Sequence, residues 1–83
     1  MEILVSPAAQ EAIAGLPKVI RLRIRHLLAD LQNWPGVSGV KPLRGNRAGW
    51  YRKRTGDYRV LFTVSNERIF VEKVGHVRDG YEE

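Results

Sequence analysis

A chain of 83 residues has room for one domain (1–83) and one small core, and 43% hydrophobic with 28% charged residues is ordinary for a globular protein. The net charge of +5, carried by ten arginines and four lysines, favours an anionic partner: nucleic acid, an acidic protein or an anionic surface. The lack of cysteine excludes disulfides, thiolate catalysis and thiolate metal sites and fits a cytoplasmic protein; no apolar run reaches membrane-span length, and no basic-then-apolar leader opens the chain.

In chain order, Glu2 to Val5 form a short apolar strand. Ser6-Pro7 is a helix start, since Ser caps the first orphan N–H groups and Pro suits the first helical position. The first helix spans Pro7 to Ala14, with Ala9, Ala12, Ile13 and Leu16 inward. Gly15 is expected in the left-handed position that ends many helices. Pro17 opens a second helix, in which Ile20, Ile24, Leu27, Leu28 and Leu31 recur at helical spacing and should cover a sheet. Arg21, Arg23 and Arg25 fall mostly off that stripe and read as a solvated helix surface. The helix stops at Asn33-Trp34-Pro35-Gly36, because Pro35 disfavours helical geometry before it. Residues 36–49 read as a glycine-rich connection carrying Lys41, Arg44 and Arg47, either a mobile link or a basic flap beside a site.

The stretch from Trp50 to Tyr81 predicts three strands and two tight turns. Gly56-Asp57 suits a two-residue hairpin loop, pairing Thr55 with Tyr58, Arg54 with Arg59, Arg52 with Leu61 and Tyr51 with Phe62. Alternate residues share a face. One face then holds Tyr51, Tyr58, Val60, Phe62 and Val64, with Lys53 at its margin. The other holds Trp50, Arg52, Arg54, Arg59, Leu61 and Thr63. A second turn at Asn66-Glu67 puts Ile69 and Val71 on the core face and Phe70, Glu72, Val74 and His76 on the arginine side. Lys73 then falls at the core margin. Arg54 opposite Arg59 costs the sheet about 0.2–1 kcal/mol. Three arginines on one face are better explained by a polyanion than by a solvated strand.

Nearly the whole chain resembles toxins of the RelE/ParE superfamily of toxin–antitoxin systems. The resemblance rests on the strand and two helices, then KPLRG (Lys41 to Gly45), WYRKRTGDYRVLF (Trp50 to Phe62) and VGHVRDGY (Val74 to Tyr81), in that order and spacing. It implies an α+β fold: an N-terminal strand and two helices packed on a mainly antiparallel sheet of about four strands. The RelE branch implies a ribosome-dependent mRNA endoribonuclease that cuts in the A site without metal or cofactor. Its second-strand basic positions fall on Arg52 and Arg54, where many relatives have Lys. The third-strand Arg falls on Arg59, the C-terminal aromatic on Tyr81, and a His-or-Lys position on His76. Many relatives carry two arginines after Gly-His; here the first is Val77 and only Arg78 remains. Arg suits the charge of a phosphorane but is a poor base. Acid–base work is therefore assigned jointly to His76 and Tyr81, with Lys53 and Glu72 behind them. Lys41, Arg44, Arg47, Lys53 and Arg78 are the expected RNA contacts. The implied partners are a neutralising antitoxin and the ribosome with its mRNA and rRNA. No membrane is implied, and DNA is met only through the toxin–antitoxin complex. Two alternatives stand: a ParE-like gyrase inhibitor, and a member that binds RNA without cutting it.

Overall fold

The computed structural model describes residues 1–79. Strand β1 (Glu2–Val5) leads into helices α1 (Pro7–Ala14) and α2 (Lys18–Asp30). Strands β2 (Val40–Pro42), β3 (Trp50–Thr55), β4 (Tyr58–Ser65) and β5 (Arg68–His76) follow. The strands form one sheet in the order β1-β5-β4-β3-β2. Only the β1–β5 pair is parallel; the other neighbours are antiparallel. The architecture is α+β, with both helices on one face of the sheet.

The core lies between that face and the helices. Ala9 of α1, Ile24 and Leu27 of α2, and Leu31 just beyond it meet Val60, Phe62, Ile69, Val71 and Val74 of the sheet. Each large apolar side chain so buried contributes about 1.5–3 kcal/mol. The helical spacing of Ile24, Leu27 and Leu31 is therefore the stripe that covers β4 and β5. Trp34 closes one end, its ring edge-on to Tyr51 at 4.9 Å and to Phe62 at 5.5 Å.

Ser6 caps α1 as its sequence predicts: its Oγ accepts from the Ala9 N–H at 3.0 Å. The same hydroxyl donates to the Glu72 carbonyl at 3.0 Å, tying the helix start to β5. Gly15 departs from expectation. Its φ of −84° is right-handed, because its N–H is taken by the Glu11 and Ala12 carbonyls and the chain tightens into one more turn.

The expected four strands become five. Within residues 36–49, Val40 to Pro42 pair with Lys53 to Tyr51. Proline is tolerated there because β2 is an edge strand. A 3-10 turn follows at Gly45–Arg47. Both hairpin loops have two residues. Gly56 takes a φ of 58°, and Asn66 and Glu67 take 53° and 61°, the left-handed pair that a type I′ turn needs.

The second departure matters more. The β4–β5 ladder slips between Leu61 and Phe62: Phe62 pairs with Val71, but Leu61 pairs with Lys73. Glu72 is the extra residue of a β-bulge, and strict alternation fails beyond it. Val74, expected on the arginine side, is a core residue only 2% exposed. Lys73, expected at the core margin, shares the face of Leu61. His76, expected among the arginines, pairs with Tyr58 on the helix side. The reason is burial: the bulge brings Val74 into the core and takes the ammonium of Lys73 out of it. Among the described residues, no helix is long and apolar enough to cross a membrane.

Candidate nucleic-acid interface

The face away from the helices is built in rows, because residues opposite each other in a ladder point the same way. One row crosses four strands as Lys41, Arg52, Leu61 and Lys73. The next holds Arg54, Arg59 and Gly75. On the other side of the first row lie Trp50, Thr63 and Phe70. The predicted grouping of Arg52, Arg54 and Arg59 is therefore present, and Lys41 joins it from the edge strand.

The cations differ in depth. Arg54 and Lys41 are exposed and Arg52 is half-buried, whereas Arg59 is only 8% exposed. Arg59 is held from beneath: its Nη2 donates to the Val77 carbonyl at 2.8 Å. Gly75, opposite Arg59 in the ladder, puts no side chain in the way. The Val77 N–H in turn donates to the Asp57 carbonyl at 2.8 Å, so the 3-10 turn Val77–Asp79 is tied to the β3–β4 hairpin. The Nε atoms of Arg52 and Arg59 are both shielded from solvent. Leu61, fully buried, and Leu43, 5% exposed, lie outside the main core cluster. The carboxylate of Glu72, on this side as alternation expects, accepts from Thr63 Oγ1 at 2.9 Å.

Compared as a sequence, the chain matches no family model and no curated protein. Compared as a fold, it matches solved structures. A chain of the toxin–antitoxin complex RelBE2 from Mycobacterium tuberculosis superposes with a TM-score of 0.79 at 27% identity, over 90% of this chain and 95% of that one. A chain of the archaeal RelE–RelB complex from Pyrococcus horikoshii gives 0.77 at 26% identity, over 90% and 92%. The isolated E. coli RelE toxin gives 0.75 at 22% identity, over 90% and 82%, a likeness of fold.

This is the RelE toxin fold.

On this RelE-like frame the other expected residues separate. Lys53 pairs with Val40 and Val60 on the helix side, and its Nζ donates to the Ser38 carbonyl at 2.7 Å. It lies off the arginine rows. Together with Arg23, His26, Asp30 and Arg54 it lines a groove of about 310 Å³ between α2 and β3. His76 stands edge-on to the Tyr58 ring at 5.1 Å, and its Nδ1 accepts from the Arg78 N–H at 3.0 Å. The Arg47 guanidinium sits 4.5 Å from the Trp50 ring centroid, which brings it beside the Trp50, Thr63 and Phe70 row. Arg44 is exposed and lines a cavity of about 290 Å³ with Lys41, Pro42 and Leu43. Arg78 is exposed. Tyr81 lies outside the described residues. Arg21, read as solvated helix surface, is half-buried and donates to the Leu16 carbonyl at 3.1 Å.

Alternation alone misses Lys73. Its trace in the sequence is the spacing of Ile69, Val71 and Val74, which breaks period two by one residue where a bulge would sit.

Proposed function

We propose that this chain is the toxin of a toxin–antitoxin pair and an endoribonuclease that cuts mRNA in the ribosomal A site. The observation that carries the reading is the gathering of Arg52, Arg54 and Arg59 on one side of β3 and β4, with Arg54 directly opposite Arg59. Arg54 opposite Arg59 opposes folding by about 0.2–1 kcal/mol; the bond from Arg59 to Val77 gives the fold a use for Arg59 but not for the exposed Arg54 that faces it. A phosphodiester accounts for both.

Cutting RNA without metal sets three tasks. The 2′-hydroxyl must lose its proton as its oxygen attacks the adjacent phosphorus. The phosphorane that forms must have its added charge stabilised. The 5′-oxygen must leave with a proton. Arg52 and Arg54 meet the second task, because guanidinium stays charged and forks onto two phosphate oxygens. Arg59, sunk beneath them and tied to Val77, adds fixed positive charge and holds the turn that follows β5. Lys41, Arg44 and Arg47 extend the basic surface along the β2 edge and suit the flanking phosphates. For the proton transfers the family resemblance offers Tyr81, which lies outside the described residues. His76, engaged with Tyr58 and the Arg78 N–H on the helix side, is not assigned a proton-transfer step.

The antitoxin follows from the relatives, which were solved as RelBE2 and RelE–RelB complexes. A net charge of +5 suits an acidic or amphipathic antitoxin segment. We expect that segment to cover the arginine rows. A complex that left them open and ordered would rule out direct occlusion.

The test is primer extension on an mRNA incubated with purified protein, with and without programmed ribosomes. Cuts within A-site codons that require the ribosome and vanish in Arg52→Ala are the expected result. Folded protein that halts growth and makes no cuts would overturn the reading and favour the gyrase alternative, which a supercoiling assay then measures.

A further inference from the structure

We propose that Lys73 is a phosphate ligand of the arginine face, supplied by β5 through the bulge at Glu72. The inference rests on the reading of that face as an RNA site, and it adds a residue that regular alternation assigns to the opposite side.

The argument begins with register. Without the extra residue, Phe62 opposite Val71 would bring Leu61 opposite Glu72 and leave Lys73 facing the helices. The slip between Leu61 and Phe62 instead sets Lys73 opposite Leu61, in line with Arg52 and Lys41. Strands lie about 4.8 Å apart, so the backbones of Lys73 and Arg52 are about 10 Å apart across β4. Two long side chains can converge from that distance on one phosphate, or hold two successive ones. Leu61 between them is fully buried, while Arg52 and Lys73 are each half-buried. Arg52 and Lys73 thus flank one buried apolar residue from the two strands on either side of it.

The bulge takes position 73 out of the core and adds a third cation to the row that holds Lys41 and Arg52. The ammonium also differs in kind from its neighbours. It is a compact charge with three rotatable donors, which follows a phosphate oxygen as it moves, whereas the guanidinium forks are planar and directional.

Lys73→Met removes the charge and keeps an unbranched side chain opposite Leu61. At saturating programmed ribosomes, single-turnover cleavage should fall about 10- to 100-fold, the scale of one charged hydrogen bond. Lys73→Arg should recover most of the loss, and Lys18→Met, the same change at the exposed start of α2, should cost nothing. A second measurement needs no catalysis: binding of a single-stranded, 2′-O-methylated RNA to the isolated protein against salt. Loss of one phosphate contact should lower the slope of log K on log salt by about 0.7 in Lys73→Met. Thermal melts accompany both; if Lys73→Met itself melts early, Lys73→Gln takes its place. A wild-type cleavage rate or an unchanged salt slope in a folded neutral variant overturns the assignment. If the unmodified protein cuts nothing on ribosomes, the nuclease reading fails, and the salt slope by itself decides Lys73.

Discussion

Removing the Arg59 side chain sets three effects against one another. Arg59→Ala breaks the 2.8 Å bond from Nη2 to the Val77 carbonyl. A hydrogen bond from a charged donor contributes about 1.5–3 kcal/mol, and the lower end applies because Val77 is half-buried and water can replace the donor. The change also strips two methylenes from a side chain that is only 8% exposed, at about 0.8 kcal/mol each. Against these stands relief of the facing Arg54, about 0.2–1 kcal/mol. The balance is a loss of about 2–3 kcal/mol, which in a domain of this size lowers the melting temperature by roughly 10–20 °C. Thermal unfolding followed by circular dichroism measures it. Arg54→Ala is the companion: Arg54 is exposed, so its removal should leave stability unchanged or raise it by up to about 1 kcal/mol. An Arg59→Ala protein that melts at or above the unsubstituted one would refute this reasoning. Like-charge repulsion would then outweigh the bond to Val77, and Arg59 would be retained against stability rather than for it.

Other substitutions test the remaining elements. Val74→Ala should cost about 2 kcal/mol in a denaturant melt, because Val74 is in the core; a cost near zero would place it on the arginine face and remove the bulge. Glu67→Gly should stabilise by about 1 kcal/mol, since Glu67 holds a φ of 61° that glycine adopts without strain, and a loss of stability would argue against the type I′ geometry. Ser6→Ala should cost about 1–2 kcal/mol by chemical denaturation, because it ends both the cap on Ala9 and the bond to the Glu72 carbonyl; a neutral result would mean that water replaces both.

The two hairpin turns and the N-cap of α1 could be read directly because their chemistry is local. Gly56-Asp57 and Asn66-Glu67 set two-residue loops, and those loops determine the pairing of Arg54 with Arg59 and of Ser65 with Arg68. From the first pairing follows the shared face of Arg52, Arg54 and Arg59. Ser6-Pro7 determined where α1 begins for the same reason. What local chemistry could not decide is what depends on a neighbour distant in sequence. Val40 to Pro42 have little strand character of their own and become β2 only by pairing with β3. Arg59 reads as surface charge until the chain eighteen residues later returns a carbonyl to it. Lys73, Val74 and His76 change faces because β5 gains one residue against β4. Alternation is a rule for a single strand, whereas a bulge is chosen by the packing of two strands and a helix together: the sheet gives up one regular pairing so that Val74, not Lys73, enters the core.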